Sequence, residues 1–356
     1  MDRKSAVNPD AAVETPEAVE RELAGLVAGV GRWRAAIGAR YLGNEEVVEQ
    51  LILCALAGGH ALIEGVPGLG KTTLVKAFAA ALDLSFARVQ FTPDLMPGDV
   101  LGGRILDEDE AGKRRFRFEP GPIFAHVVLA DEINRAGPRT QSALLEAMAE
   151  RQVTSFGETR ALPDPFLLVA TENPIEMEGT YPLPEAQLDR FLVQIRVPEP
   201  DLAELTGVLT AAGRPRPDSP GAKEPIATRA DLLRWRSLTQ RALAAADVVE
   251  YAARVVLATS PRAGLAPALV QRSVRHGSSP RGGIALLVLA KARALTQGRL
   301  HATREDVDLA ALPCLRHRMI LSYEGQASEA DRDGLVREAV AFAGSQVGKR
   351  GKSGLD

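Results

Sequence analysis

The sequence is short of several residue types, and each shortage excludes something. Two cysteines in 356 residues rule out a disulfide scaffold. Cys54 and Cys314 lie far apart in the apolar runs LILCALA and LPCLRH and read as buried, reduced thiols. The histidines, His60, His126, His276, His301 and His317, are scattered, so no His/Cys cluster has metal-ligand spacing. No apolar run reaches the ~18–20 residues that a membrane helix needs, and the N-terminus MDRKSAVNPD lacks a signal-peptide core. The expected compartment is the cytoplasm. Net charge is nearly absent as well. Lys+Arg number 43 against 46 Asp+Glu, leaving −3, so nothing global draws the chain onto nucleic acid or anionic lipid. The remainder, 46% hydrophobic and 25% charged, is that of a globular protein, and the length suggests about two domains.

Residues 1–16, rich in Pro, Asp and Ala, have too little apolar content to pack and read as a loose tail. An amphipathic stretch follows, then a segment in which Val47, Val48, Leu51, Ile52 and Ala55 repeat at helical spacing. From His60 the pattern changes. Short apolar runs at 61–65, 86–91, 126–130, 165–171 and 191–197 alternate with helical segments. Val128–Leu129 and Leu167–Val169 are apolar on consecutive positions, as strands covered on both faces should be. This predicts an α/β domain over 17–200, a parallel five-stranded sheet with helices on both faces. After Pro198 the β signal disappears. GRPRPDSPGAKEP (213–225) reads as a loop, and helical patterns follow around 231–245, 248–259, 280–297 and 304–312. The third is framed by Ser279 as cap, Pro280 at the first helical position and Gly298 at the end, with an apolar stripe of Ile284, Leu287, Val288 and Leu295. The expectation is a smaller all-helical domain over 201–345 and a flexible tail over 346–356.

The segment GVPGLGKTT satisfies G-x-x-x-x-G-K-[ST] at Gly65, Gly70, Lys71 and Thr72, between an apolar strand and a helical pattern. Glycines let successive backbone N–H groups wrap a phosphate at a helix N-terminus. Lys71 would reach the β- and γ-phosphates, and the Thr72 hydroxyl would take one Mg²⁺ position. Pro67, Gly68 and Thr73 complete the candidate nucleotide-binding loop. Sixty residues beyond Lys71, the run HVVLADE brings Asp131 and Glu132 to the carboxyl end of a buried strand, where open α/β sheets bind ligands. Asp131 would hold Mg²⁺, and Glu132 is placed to orient and deprotonate a water. A small-molecule kinase does not need that second carboxylate, so hydrolysis is favoured over transfer. Asn173 follows FLLVATEN at the same sheet edge, where a neutral amide can bond the γ-phosphate or the water. Arg190, in EAQLDRF, reads in a monomer as a solvated charge and in a ring as a residue entering the neighbour's site. Arg281, in GSSPRGG, lies in the first turn of the capped helix, where it reads either as a phosphate contact on lid closure or as a surface arginine.

The ordered set GVPGLGKTT, FTPDLMPGDVLGG, FEPGPIF, LADEINRAGPRTQSALLEAMAERQVT, ATENP, GTYPLPEAQLDRF and GSSPRG closely resembles the MoxR family of AAA+ ATPases, from Tyr41 to about Ser322. The resemblance implies an AAA+ core with a helical lid, Mg–ATP hydrolysis at subunit interfaces and a hexameric ring. It matches Lys71 and Thr72 to Walker A, Asp131 and Glu132 to Walker B, and Asn173 to sensor 1. It matches Arg190 to the arginine finger, Arg281 to sensor 2, acting on its own or the neighbour's nucleotide, and Gly43–Asn44 to the segment that contacts adenine. Gly98 stands where a serine is common in the family and Gly282 where alanine is.

Two insertions fit that family. Residues 102–121 read as a hairpin, with Ile105 and Leu106, an acidic tip from Asp107 to Glu110, and a return arm alternating Arg115, Phe116, Arg117 and Phe118. Residues 151–162 read as a second, turning at Gly157. The basic arm Lys113, Arg114, Arg115 and Arg117 invites a nucleic-acid reading, but the adjacent acidic residues would repel phosphates, so a solvated arm or protein-contact loop is preferred. The functional expectation is a chaperone-like ring ATPase that remodels or activates a client protein, with a von Willebrand-type domain protein as a partner by analogy. A DNA-dependent motor and a magnesium-chelatase-type subunit are the alternatives, and the absence of a basic tract disfavours the first of them.

Overall fold

Apolar residues fall on consecutive positions of the central strands because both faces of their sheet are covered. A computed structural model of the chain describes residues 15–108, 114–155, 157–174, 179–212, 226–262 and 264–346. The chain opens with α1 (Pro16–Gly38), α2 (Glu45–Leu56), β1 (Ala61–Glu64), α3 (Lys71–Ala80), β2 (Phe86–Gln90) and α4 (Pro97–Leu101). A hairpin follows, β3 (Gly102–Glu108) with β4 (Arg114–Pro120), then β5 (Val127–Asp131) and α5 (Pro138–Glu150). A second hairpin, β6 (Gln152–Ser155) with β7 (Glu158–Ala161), leads to β8 (Leu167–Glu172), α6 (Glu185–Leu188) and β9 (Val193–Arg196). Beyond these come the helices α7 (Leu202–Ala212), α8 (Arg229–Arg241), α9 (Ala246–Ala258), α10 (Ala268–Ser273) and α11 (Pro280–Thr296). The last are α12 (Arg304–Leu315), α13 (Tyr323–Ala327) and α14 (Arg332–Gln346).

The five-stranded sheet has the order β2-β5-β8-β1-β9 and is parallel throughout. Ile63, Leu129, Val169 and Ile195 face one side and join the core built by α1, α2 and α3. Leu62, Val128, Ala130 and Leu168 face the other and pack with Leu144, Leu145 and Met148 of α5. The period of two along each strand therefore feeds two cores. Leu286, Leu289 and Val307 of the later helices belong to the first of them, so the helical region is fused to the sheet through shared apolar packing.

Local chemistry sets the helix ends. Thr15 caps α1, accepting from the Ala18 N–H at 3.3 Å, with Pro16 in the first turn. Of the segment 1–16 expected to be a tail, these two residues thus belong to a helix start; 1–14 lie outside the described residues, as do the expected loop 213–225 and most of the expected tail 346–356. Trp33 of α1 is fully buried, its ring 4.6 Å from that of Phe78 and its Nε1–H donating to the Phe78 carbonyl at 3.3 Å. Ser279 caps α11 with Pro280 behind it, as the sequence pattern requires. Cys54 and Cys314 are buried free thiols; burial pushes Cys314 up to about 12 and Cys54 higher still.

One expectation fails. The stripe assigned to α11 is rotated from the buried face: Ile284 is 63% exposed, Leu287 and Val288 are half-buried, and the fully covered residues are Ala285, Leu286, Leu289, Ala290, Ala292 and Ala294 with Leu295. α11 contacts α1, α2, α8, α9 and α12, and backbones approach that closely only over alanine. A face chosen by large side chains therefore points the wrong way.

The first hairpin carries its apolar residues outward, with Leu106 and Phe116 exposed. Its basic return arm is paired with its own acidic residues, Arg114 with Glu108 at 3.3 Å and Arg117 with Asp107 at 3.0 Å. Asp109 and Glu110 of the expected tip, and Lys113 of the basic arm, lie outside the described residues. The two hairpins touch, with the Arg160 guanidinium 3.9 Å from the Phe118 ring centre and Arg104 3.6 Å from Glu158.

Two substitutions test this packing. Trp33→Ala should lower the unfolding free energy by about 3–5 kcal/mol in urea titration. Ile284→Ser should change it by less than about 0.5 kcal/mol, and a loss comparable to that of Trp33→Ala would restore the rejected stripe.

Candidate nucleotide site

Parallel pairing fixes which loops meet. β1, β5 and β8 are neighbours, so the segments following them, at Gly65, Asp131 and Asn173, emerge side by side at the carboxyl edge. After β1 the chain turns through Gly68 and Gly70, at φ +88° and +73°, values that only glycine adopts without strain. Lys71 then starts α3, and its ammonium donates to the Gly65 carbonyl across the loop. Gly65, Pro67, Gly68, Gly70, Lys71 and Thr72 thus lie on one continuous turn leading into a helix N-terminus, with Thr73 exposed on the helix behind them.

Asp131 is the hub. Its Oδ1 accepts from the Thr171 hydroxyl at 2.7 Å and its Oδ2 from the Thr72 hydroxyl at 3.3 Å. Oδ2 also pairs with the Arg88 guanidinium at 2.7 Å. Four segments, β2, β5, β8 and the start of α3, are tied to this one carboxylate. The Thr72 hydroxyl and the Asp131 carboxylate are two hard oxygen donors side by side, the kind of partial set that Mg²⁺ takes while keeping several waters. Glu132 follows at φ +57°, a left-handed conformation that costs a side-chain-bearing residue on the order of 1–3 kcal/mol. Its N–H donates to the Thr171 hydroxyl at 2.8 Å, and its carboxylate accepts from Gln90 and Arg135, each at 2.9 Å. Asn173 is buried, 4% exposed, at the end of β8 between the Asp131 and Gly65 loops.

Beside the loop lies a cleft of about 460 Å³, lined by Asn44 and Val47, by Gly65 and Val66, and by Val197 and Leu312. Asn44 caps α2, accepting from the Glu46 N–H at 2.9 Å. Gly43 lets the Tyr41 ring fold back onto it, and the same ring lies 3.3 Å from where a Cβ on Gly70 would be. The expected adenine segment and the phosphate loop thus meet through one buried tyrosine.

Comparison with known proteins fits this arrangement. Residues 60–193 match the family described as ATPase family associated with various cellular activities (AAA), and residues 266–339 match the AAA lid domain. Chaperone MoxR1 of Mycobacterium tuberculosis is 40% identical over 84% of this chain and 78% of its own length. Protein MoxR of Paracoccus denitrificans is 33% identical, over 87% and 93% respectively. The chain belongs to the MoxR family of AAA+ ATPases. A solved structure of a Cytophaga hutchinsonii protein assigned as an ATPase superposes with a TM-score of 0.83 at 34% identity, covering 91% of this chain and 97% of that one.

The remaining expected residues of this MoxR-family chain lie elsewhere. Arg190 precedes β9, whereas Gly65 follows β1, its parallel neighbour, so Arg190 sits at the amino end of the sheet, opposite Lys71 and Asp131. It is exposed, with its guanidinium donating to the Leu145 carbonyl at 2.8 Å. Arg281 is exposed too and lies 3.9 Å from Asp189, the residue before Arg190. Asp189 is further held by Ser279 at 3.0 Å and by Arg318 at 2.8 Å. The structure therefore gathers the expected residues into two groups, one at each end of the sheet.

Sequence reasoning passed over Arg88, Gln90, Arg135, Tyr41 and Thr171. A signal for the first two was present: polar residues two apart in a strand share a face. It also passed over Glu172. Burial, together with the Glu64 carboxylate on the neighbouring strand, pushes this carboxyl from its ordinary 4.5 up to about 7. The unfolded chain ionises near the ordinary value and the folded chain only near 7. Stability from this group is thus complete below about pH 4.5, falls as pH rises towards 7 and stays lost above it. Glu172→Gln should raise the thermal midpoint at pH 8 by several degrees and flatten its decline between pH 5 and 7. An unchanged slope would remove Glu172 as the cause.

Proposed function

We propose that this chain hydrolyses Mg–ATP in a homo-oligomeric ring, as a hexamer in the cytoplasm, and uses the cycle to remodel or activate a client protein. The observation that carries the reading is the hydrogen bond between Thr72 and Asp131, which joins the phosphate loop to the acidic strand end beside Lys71 and Glu132. In this reading 17–200 is the ATPase core and 201–345 the lid. The base lies in the cleft beside Gly43 and Asn44, and the triphosphate lies along Gly65, Pro67, Gly68, Gly70, Lys71, Thr72 and Thr73. Lys71 neutralises the β- and γ-phosphates. Thr72 and Asp131 hold Mg²⁺, whose charge offsets that of the phosphate oxygens. Asn173, neutral and buried, orients the water or the γ-phosphate. Glu132 takes the proton of the attacking water once its carboxylate turns away from Gln90 and Arg135.

Arg190 and Arg281 act on the nucleotide of the adjacent subunit. Support comes from their position at the amino end of the sheet, Arg281 beside Asp189, at the end opposite the same chain's loop. The client is a protein, with a von Willebrand-type domain protein as a partner by analogy with the family. The hairpins offer exposed Leu106 and Phe116 beside a basic arm already paired with carboxylates, a surface better suited to a polypeptide than to a phosphate backbone.

Lys71→Ala should abolish ATP binding in a fluorescent-nucleotide titration, while Glu132→Gln should bind ATP and lose hydrolysis about 10²-fold or more. Normal phosphate release by Glu132→Gln would remove it as the base. Arg190→Ala should retain nucleotide affinity yet lose turnover about 10³-fold. Mixing Arg190→Ala with Lys71→Ala subunits should recover part of the activity, because each supplies what the other interface lacks. Mixed rings that form without recovery would contradict action between subunits.

A further inference from the structure

At the amino end of the sheet, away from the nucleotide loop, a smaller cavity of about 190 Å³ lies between the core and α8. The core contributes Gly58, Arg151 and Asp164; α8 contributes Arg236, Ser237 and Gln240. Arg236 is 7% exposed, and its Nε donates to the Ala55 carbonyl at 2.7 Å. Its Nη1 and Nη2 are shielded from solvent and have no hydrogen-bond partner. The nearest opposite charge, Asp164 Oδ1, is 4.0 Å from Nη1, too far to accept a hydrogen bond. A buried guanidinium with both terminal nitrogens unmet is strongly unfavourable unless an acceptor joins it. Arg151 adds a second cation at the rim, donating to the Gly58 carbonyl at 3.2 Å. The excess of positive charge is felt around the cavity. Burial and Arg151 lower Arg236 to about 10, and burial with both arginines holds His60, which accepts from the Leu168 N–H, down at about 3.

We propose that this cavity binds a small oxyanion, with inorganic phosphate as its fitting member, bridging Arg236 of α8 and Arg151 of the core. Once Asp164 turns aside, the four Nη–H groups of Arg236, those of Arg151 not given to Gly58, the Ser237 hydroxyl and the Gln240 amide offer a tetrahedral anion more donors than it has oxygens. The volume is less than half that of the nucleotide cleft and suits an anion rather than a nucleotide. Asp164 sets the choice among oxyanions. Near neutral pH phosphate retains a proton that it can donate to a carboxylate, whereas sulfate has none and meets only repulsion there. The Asp164 side chain is 61% exposed, so it can turn off the guanidinium and onto the ligand's O–H as the anion enters. Bound in this way, the anion braces α8 against the ends of α2 and α5. The site shares no residue with the nucleotide loop, so it stands or falls independently of the ATPase reading.

The test is thermal unfolding of the full chain with excess Mg–ADP present, in phosphate, in sulfate and in chloride at matched ionic strength. At about 10 mM, phosphate should raise the midpoint by at least about 2 °C over chloride, and sulfate by clearly less. Arg151→Gln, a change at an exposed side chain, should abolish the phosphate increment, whereas phosphate held by the nucleotide loop would survive it. Arg236→Met should raise the midpoint without phosphate, since it removes an unpaired buried charge at similar volume, and should also abolish the increment. Asp164→Asn should erase the preference for phosphate over sulfate. Equal midpoints in phosphate and chloride, or an increment that persists in both Arg151→Gln and Arg236→Met, would overturn the proposal.

Discussion

The Asp131 carboxylate is the constraint on which the rest of the site depends. It sits at the end of a fully buried strand, so its charge has few places to go. Thr171 from β8 takes one oxygen, while Thr72 from α3 and Arg88 from β2 share the other. Through these contacts the phosphate loop, the strand that carries Glu132 and the strand that carries Asn173 hold one register. Glu132 stays left-handed because its own N–H is bonded to the same Thr171. Loss of that hub would loosen the geometry of every neighbouring candidate residue without touching the hydrophobic core.

The sheet separates two kinds of chemistry. Its carboxyl edge gathers the loop and the acidic pair, next to a cleft of nucleoside size. Its amino edge gathers arginines: Arg190 next to Asp189, which Arg281 approaches, and Arg151 opposite Arg236 of α8. In an isolated chain these cations face solvent or an unfilled hydrogen-bonding demand. In the proposed ring the exposed pair would meet the next subunit, since a head-to-tail interface joins two different surfaces of the same chain.

Much of this was legible in the residues. Strands that are apolar on consecutive positions read as two-face strands; β1, β2 and β9 fall inside the runs expected of them, and β5 and β8 each end one residue beyond theirs. The loop GVPGLGKTT and the ending ADE announced the carboxyl edge because backbone wrapping demands glycine and because charge at the end of a buried strand needs a reason. Other features were hidden for physical causes. The buried face of α11 is lined largely by alanine, whose small side chain carries little hydrophobic signal yet permits the closest helix packing. Arg88 and Gln90 are ordinary half-exposed strand residues until β5 is placed alongside them. The nearness of Arg281 to Arg190 is a tertiary fact, made through Asp189 across about ninety residues of chain. The unmet nitrogens of Arg236 belong to the same class, since only packing shows that no acceptor is within reach.

The central claim is that one triphosphate meets Lys71, Thr72, Asp131 and Glu132 from its own chain, and Arg190 and Arg281 from the next. The most direct measurement is a structure of the assembled protein with Mg²⁺ and a non-hydrolysable ATP analogue. The account predicts the γ-phosphate at the carboxyl edge, within hydrogen-bonding distance of the Lys71 ammonium and Asn173, with both arginines of a neighbouring copy pointing at it. A nucleotide seated away from Asp131, or one whose phosphates meet no arginine of another subunit in a closed ring, would contradict it.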